Sequence, residues 1–210
     1  MNRTARLSSL TALAIIGGAA SPTDAANLVT NGSFEAGNTG FSSDFAFSSG
    51  DIVPAATYDI VADPNNSHGS ASSYGDNTSG TGLMLAANGS TSTDTVVWSQ
   101  EISVTPGTLY EFSLWTSTWF SNASVEILIN SNQQGPSFTT PSTTGIWEQT
   151  SREWNSGLAT TATIEIVNAS TGFIGNDFDL DDISFTSVPE PTSAMALIVL
   201  GALTARRRRH

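Results

Sequence analysis

The chain of 210 residues contains no cysteine and no lysine, and it has two histidines. Without cysteine there can be no disulfide, no thiol catalysis, no iron–sulfur cluster and no cysteine-ligated zinc site. One histidine, His210, is the last residue, and the other, His68, lies in a polar segment. A His-based catalytic triad or a histidine zinc site therefore lacks partners in this sequence.

Positive charge is confined almost entirely to the two ends of the chain. Of the seven arginines, Arg3 and Arg6 lie near the N terminus and four more lie at 206–209. Residues 27–187 keep Arg152 alone against 17 acidic residues, which gives this segment a net charge of −16. Such a field repels phosphate backbones, which argues against nucleic acid as a partner, and it favours divalent cations where carboxylates converge.

Residues 1–26 are predicted to be a secretory signal peptide. Arg3 and Arg6 precede an apolar run from Leu10 to Ala20, and small residues follow that run. A basic head, a short hydrophobic stretch and an Ala-rich cleavage zone are the three parts of such a peptide. The alternative, a buried N-terminal helix, accounts less well for the two arginines. The mature chain is expected to begin near Asn27.

The C-terminal residues 188–210 have the composition of a second targeting segment. Pro189, Glu190 and Pro191 precede an uncharged run at 192–205, and the run is followed by Arg206, Arg207, Arg208 and Arg209. As a single hydrophobic helix the run would span about 21 Å at 1.5 Å per residue, which is shorter than a hydrocarbon core of roughly 30 Å. The arginines would hold their end in the cytoplasm. We therefore expect a weak, transient membrane anchor rather than a core helix.

This arrangement resembles the PEP-CTERM sorting signal of bacterial surface proteins. The resemblance implies recognition by a membrane-embedded exosortase, removal of the tail, and release or attachment at the cell surface, often within exopolysaccharide. We therefore expect an exported protein that is first anchored in the membrane and then reaches the cell surface or the extracellular space. The expected partners are an exosortase-type protease or transpeptidase and exopolysaccharide.

The body of the chain, residues 27–187, is predicted to be all-β. Short runs in which apolar and polar residues alternate are separated by Gly, Pro and Asn; in one of them Tyr110, Phe112 and Leu114 share a face and Trp115 lies on the other. Period two with one apolar face is typical of a half-buried strand. Residues 63–82 are predicted to form a long surface loop. This spacing of strands, without helical patterns between them, indicates one two-sheet β-sandwich domain.

The two ends of the body resemble the galactose-binding-like jelly rolls. The resemblance is carried by the opening segment Asn27-Leu28-Val29-Thr30-Asn31-Gly32-Ser33-Phe34-Glu35 and by the closing segment Phe178-Asp179-Leu180-Asp181-Asp182-Ile183-Ser184-Phe185. It implies a jelly-roll β-sandwich, in a group that includes calcium-dependent carbohydrate-binding modules. It also implies that the first and last strands pair, and that Glu35 with Asp181 or Asp182 binds a structural Ca²⁺.

The closing segment also has a local feature that bears on a cation site. Its apolar phase slips at Asp181 and Asp182, which predicts a β-bulge that turns two carboxylates toward one point. An all-oxygen set of ligands is what Ca²⁺ prefers. The alternative is a solvated acidic edge that discourages aggregation between strands.

A bound sugar would need an aromatic platform, and Trp115 and Trp119 are predicted to form one by being exposed together. Catalysis has little support. Glycoside hydrolysis needs two carboxylates at a defined distance, and no sequence feature identifies any of the 17 acidic residues as one of them. The sequence therefore favours a non-enzymatic protein of the cell surface or extracellular matrix. The alternative is a carbohydrate-binding module for a specific glycan, and a glycan-active hydrolase is the least favoured function.

Overall fold

The protein was analysed as a computed structural model that describes residues 25–172 and 175–189. Nearly all of the predicted signal peptide, the predicted helix at 192–205, and Glu190, Pro191 and Arg206–Arg209 lie outside the described residues. Within the described ranges, no helix has the length and apolar character needed to cross a membrane. The helical segment seen there is a short 3₁₀ turn at Pro64–Asn66.

The described part of the chain consists of β-strands joined by turns and loops. In chain order the strands are β1 (Ala46–Phe47), β2 (Thr57–Val61), β3 (Met84–Asn88), β4 (Thr95–Ser103), β5 (Leu109–Ser117), β6 (Ser124–Ile129), β7 (Asn132–Gln133), β8 (Phe138–Thr139), β9 (Glu148–Asn155), β10 (Thr161–Asn168) and β11 (Asp177–Ser187).

The strands form two sheets that face each other. Sheet 1 has the order β1-β2-β3-β11-β5-β9, and sheet 2 has the order β4-β10-β6-β7, with β8 also paired to β6. All pairs are antiparallel except the short parallel pair of β1 and β2. The prediction of an all-β, two-sheet sandwich is confirmed. Neighbouring strands in this order are often distant in the chain, as in β3, β11 and β5.

The core lies between the two sheets and follows the period-two pattern of the sequence. On β5, the side chains of Tyr110, Phe112 and Leu114 are buried in the core, while Trp115 points to the outer face of sheet 1. Sheet 2 contributes alternate residues of β6 and β10, such as Ile127 and Ile164. Burying one such side chain completely contributes about 1.5–3 kcal/mol. The core is therefore the main source of stability.

The opening segment of the body lies beside the last strand. The backbone N–H of Leu28 donates to the Phe185 carbonyl oxygen at 2.9 Å, and the Ile183 N–H donates to the Gly32 oxygen at 2.9 Å. The Asn27 side chain adds two bonds, one to the Ile183 oxygen and one from the Phe185 N–H. A Cβ on Gly32 would stand 2.1 Å from the Ile183 oxygen, so only glycine allows this approach. The two ends of the body are thus held together.

Segment 63–82, which we call the covering loop, is not simply the surface loop expected from its polar composition, because it packs on a sheet. It folds over the outer face of sheet 1, where a second small apolar cluster joins Ile52, Ala71, Ala86 and Trp119. Tyr74 from this segment donates a hydrogen bond to the buried carboxylate of Asp179 on β11. A part of sheet 1 that would otherwise face solvent is therefore covered.

Candidate functional site

The predicted bulge in the closing strand is present and shapes the acidic site. The pairing of β11 with β5 shifts register between Asp181 and Ser184. Asp182 lies in the left-handed region with φ of 45°, a conformation that Asp and Asn adopt more readily than most residues. Asp181 is fully buried on the outer face of sheet 1, whereas Asp182 is half-buried at the edge of the covering loop.

The covering loop supplies hydrogen-bond donors to both carboxylates. The Asn77 backbone N–H donates to Asp181 Oδ2 at 2.9 Å, and its side-chain amide donates to Asp182 Oδ2 at 2.7 Å. Thr78 Oγ1 donates to Asp182 Oδ1 at 2.7 Å. The carboxylates of Asp181 and Asp182 would repel each other. Both are hydrogen-bonded by the same short stretch of the covering loop, about a hundred positions away in the chain.

Glu35, in the opening segment, lies next to Asp76, an acidic residue of the covering loop. Glu35 Oε1 accepts a hydrogen bond from the Leu83 N–H at 2.8 Å, and Asp76 accepts from the N–H groups of Ser79 and Gly82 at 2.9 Å and 2.7 Å. A Cβ on Gly82 would lie 2.2 Å from Glu35 Oε1 and 2.9 Å from Asp76 Oδ2. The absence of a side chain at Gly82 thus lets two carboxylates approach the same stretch of backbone.

Asp76 was missed by sequence reasoning, although it is buried beside a predicted site residue. Its signal was weak, because it stands in a run of polar residues with no motif around it. It is linked to Glu35 through Gly82, and to the bulge through its neighbour Asn77. The acidic site therefore contains the predicted Glu35, Asp181 and Asp182 together with Asp76.

Burial dominates the electrostatics of the acids on β11. Burial, with a further contribution from the neighbouring Asp182 charge, raises the pKa of Asp181 to about 7. Burial also raises the pKa of Asp179 well above its usual value and that of Asp177 to about 6. For Asp76, burial acts in the same direction but is outweighed by the N–H donors of Ser79 and Gly82, so its pKa is lowered. Outward-facing positions of one strand therefore carry three carboxyl groups that resist ionisation.

The chemistry of this site suits a hard cation only in part. Its donors are all oxygens, which is the set Ca²⁺ prefers. Across residues 25–172 and 175–189, however, no group of three or more His, Cys, Asp or Glu side chains is placed to hold a metal ion. A Ca²⁺ bound by Glu35, Asp181 and Asp182 would need amide or backbone carbonyl oxygens as well. The calcium site stays a prediction.

The predicted platform of two exposed tryptophans is wrong with respect to Trp119. Trp115 does lie on the outer face of sheet 1, half-buried, in register with Asp181 on β11 and Gln149 on β9. Trp119 is only 1% exposed. Its ring lies 4.8 Å from that of His68, and it packs in the small cluster under the covering loop. The loop residues that bury it are some fifty positions upstream, beyond what strand periodicity can predict.

Comparison with known proteins identifies the sorting signal and the fold. Residues 187–209 match the PEP-CTERM protein-sorting motif, so the chain carries this motif and is an exported protein. No curated protein sequence matches the chain.

Among solved structures, the body is similar to the CBM22-1 xylan-binding domain of Paenibacillus barcinonensis Xyn10C. The match covers 81% of this chain and 99% of that domain, with a TM-score of 0.54 and 14% sequence identity. The tandem CBM22-1-CBM22-2 domain of the same protein matches over 82% of this chain and 49% of that one, with a TM-score of 0.52 and 16% identity. The body therefore has the jelly-roll fold of carbohydrate-binding modules.

Proposed function

We propose that this chain is a non-enzymatic protein of the bacterial cell surface or extracellular matrix whose jelly-roll body associates with exopolysaccharide. In this proposal an exosortase-type membrane protein recognises the PEP-CTERM motif and processes the tail. The observation that carries the proposal is the junction between body and motif, because the main core of the described residues is complete at Phe185, before the Pro-Glu-Pro motif begins.

The junction is built by the last strand. The first half of β11 pairs with β3, its second half lies beside the opening segment, and β5 pairs along its other edge. The Val188 N–H makes a final backbone hydrogen bond to the Leu109 oxygen at 2.9 Å. Pro189, the first residue of the Pro-Glu-Pro motif, follows directly and is exposed. Cleavage beyond this point would keep every described pairing of β11, and a tether attached there would pull on a strand that is hydrogen-bonded on both sides.

The acids of β11 support binding or structural roles over catalysis. Asp179 and Asp181 have the raised pKa values that a general acid needs. Both are fully buried, and loop residues Tyr74 and Asn77 hydrogen-bond to them. A glycosidic oxygen could not reach either group without removal of the loop, so these carboxyls do not form the open pair that hydrolysis requires.

A structural Ca²⁺ is the second part of the proposal. Glu35, Asp181 and Asp182 would hold it, with Asp76 as an additional acid, at the place where the opening segment, the covering loop and the bulge meet. Bound there, the ion would neutralise acids that repel each other and would fix the loop to the strand. The burial of Asp181 directly beside a second carboxylate, Asp182, supports a counterion at this place.

Fractionation of the full chain in a bacterium with an exosortase system tests the delivery step. We expect a shortened product at the surface or in the medium. A variant with Pro189, Glu190 and Pro191 all changed to Ala should instead stay at full length in the membrane. A full-length wild-type product dissolved in the cytoplasm would contradict the proposal.

Association with carbohydrate is tested on the released wild-type protein. We expect it to sediment with purified extracellular polysaccharide of the host, and to return to the supernatant when the polysaccharide is enzymatically degraded. If the protein stays in the supernatant at all polysaccharide concentrations, the carbohydrate part of the proposal is wrong.

A further inference from the structure

A cavity of about 280 Å³ opens on the outer face of sheet 1, away from the acidic site. It lies where β11 begins and where β3 ends. Three separate parts of the chain meet around it: the segment before β2, the covering loop, and the connection between β5 and β6. Its wall includes Val53, His68, Asn88, Trp119, Phe120 and Asp177.

One part of the lining is apolar and faces solvent. Phe120 is 51% exposed and Val53 is 62% exposed, although both belong to the cavity wall. Behind them the buried ring of Trp119 lies 4.8 Å from the His68 ring, with the two ring planes tilted by 39°. Large apolar side chains held at the mouth of a cavity lose contact with water only when something packs against them.

The other part of the lining is polar and well oriented. The Asn88 side-chain amide donates to the carbonyl oxygens of Ile52 and Val53 at 2.8 Å and 3.0 Å, which fixes its orientation. Asp177 is 7% exposed and has N–H groups of Gly89 and Asn176 beside its carboxylate. His68 and Ser70 add two more polar side chains. An aromatic wall opposite a few fixed polar groups is how small-molecule sites gain orientation and specificity.

We infer that this cavity binds a single terminal sugar unit that carries no carboxylate. The inference rests on the proposed association with carbohydrate and names the site and the class of sugar. The volume lies at the low end of ligand pockets, which suits one unit rather than a long stretch of chain. The apolar face of the ring packs on Phe120, and its hydroxyls bond to Asp177 and Asn88.

Charge excludes an acidic sugar from this site. Asp177 is in the wall, and the body has a net charge of −16. The one arginine of the body, Arg152, lies on β9 outside the cavity wall, where its guanidinium donates to the Gln134 and Pro136 oxygens. A uronate in the cavity would therefore face the Asp177 carboxylate, with no arginine or lysine in the wall to pair with it.

The position of the cavity agrees with display from a surface. Asp177 is the first residue of β11, and the match to the sorting motif begins at its last residue, Ser187. At about 3.3 Å per residue, the strand separates the two by roughly 33 Å. A protein tethered through its tail would thus carry the cavity at the far end of the strand from the tether.

Binding of the released full body to an array of oligosaccharides tests the inference. The probes end in glucose, galactose, mannose, glucosamine or glucuronate. We expect the wild type to bind some of the chains that lack a terminal carboxylate and none that end in glucuronate. Phe120→Ala should weaken this binding at least tenfold. Phe47→Ala is the matched control, since Phe47 is a similarly exposed aromatic residue at 46% but does not line the cavity.

The charge argument has its own variant, Asp177→Asn, which keeps a polar side chain and removes the negative charge. We expect this variant to gain binding to glucuronate-ended chains. If Phe120→Ala and Phe47→Ala both bind like the wild type, the sugar site is not this cavity. The association with polysaccharide is tested separately, by the sedimentation assay described above. Binding of glucuronate-ended chains by the wild type, or no binding to any probe, would overturn the inference.

Discussion

Replacing Asp177 with Asn should stabilise the folded protein at neutral pH. The Asp177 side chain is 7% exposed, and burial raises its pKa from 3.8 to about 6, against the opposing effect of N–H donors from Gly89 and Asn176. The folded chain therefore holds the proton more tightly than the unfolded chain. At pH 7 the group is ionised in both states, and its charge is a cost to the folded state.

The size of the effect follows from the shift in pKa. Each unit corresponds to 1.36 kcal/mol, so a rise of about two units destabilises the fold by about 3 kcal/mol at pH 7. Asparagine removes the charge and can still accept a hydrogen bond from the same N–H groups. In a domain of this size the gain would raise the melting temperature by up to about 10 °C.

The pH dependence of this stability difference tests whether the charge of Asp177 is its cause. Because the pKa of Asp177 is raised on folding, its stabilising contribution is present at low pH and is lost as pH rises through about 6. The difference in unfolding free energy between Asp177→Asn and the wild type should be largest above pH 6.5 and disappear below pH 4. Asp181 is present in both proteins, and its titration cancels in this difference. The pKa of Asp179 is raised mainly by burial and in part by the Asp177 charge, so Asp177→Asn also makes ionisation of Asp179 less unfavourable, which acts in the same direction.

Urea unfolding of both proteins between pH 4 and pH 8 measures this difference. Glu101→Gln is the control: Glu101 is exposed on β4, and the variant reduces the net charge by the same amount. We expect its effect to stay within about 0.5 kcal/mol, as for other surface changes. If Asp177→Asn is neutral at pH 7.5, or is equally stabilising at pH 4, the reasoning from burial is wrong.

Three other outcomes can be checked by thermal or urea unfolding. EDTA should lower the melting temperature of the wild type but not of Glu35→Ala, and unchanged melting of the wild type in EDTA would remove the calcium proposal. Gly82→Ala should destabilise by about 1–3 kcal/mol, because its Cβ would meet the carboxylates of Glu35 and Asp76 at 2.2 Å and 2.9 Å; a neutral effect would mean that these groups can move apart. Trp119→Ala should lower the free energy of unfolding by about 3–5 kcal/mol because the Trp119 side chain is buried. Trp115→Ala should lower it clearly less, because Trp115 is half-buried, and equal losses would contradict this difference in burial.

Local patterns in the chain were sufficient for the sandwich and for the bulge. The alternation of Tyr110, Phe112 and Leu114 with outward-facing residues needs only the two-residue repeat of a strand, and the same holds for β6 and β10. The slip of phase at Asp181 and Asp182 is also local, so the bulge followed from the same repeat. The sorting signal was readable because membrane stop segments are defined by composition rather than by folding.

Placement of the loop could not be predicted in the same way. Segment 63–82 has no repeat, and its position depends on contacts with β11, which lies about a hundred residues further along the chain. That docking buries Trp119 and brings Asp76 beside Glu35. Polar composition predicted exposure for the loop, but its hydrogen bonds to Asp179, Asp181 and Asp182 made burial of part of it favourable.

The amino-acid sequence alone thus determined that the protein is exported, that its body is an all-β sandwich, and where its last strand bulges. Each of these depends on charge, composition or a two-residue repeat within a short stretch. The tertiary structure decided that Trp119 is buried while Trp115 is half-buried, which acids stand together, and that a cavity forms between Phe120, Asn88 and Asp177. These features need segments distant in the chain to meet, and which segments meet is decided by packing over the whole fold, which no short stretch of sequence contains.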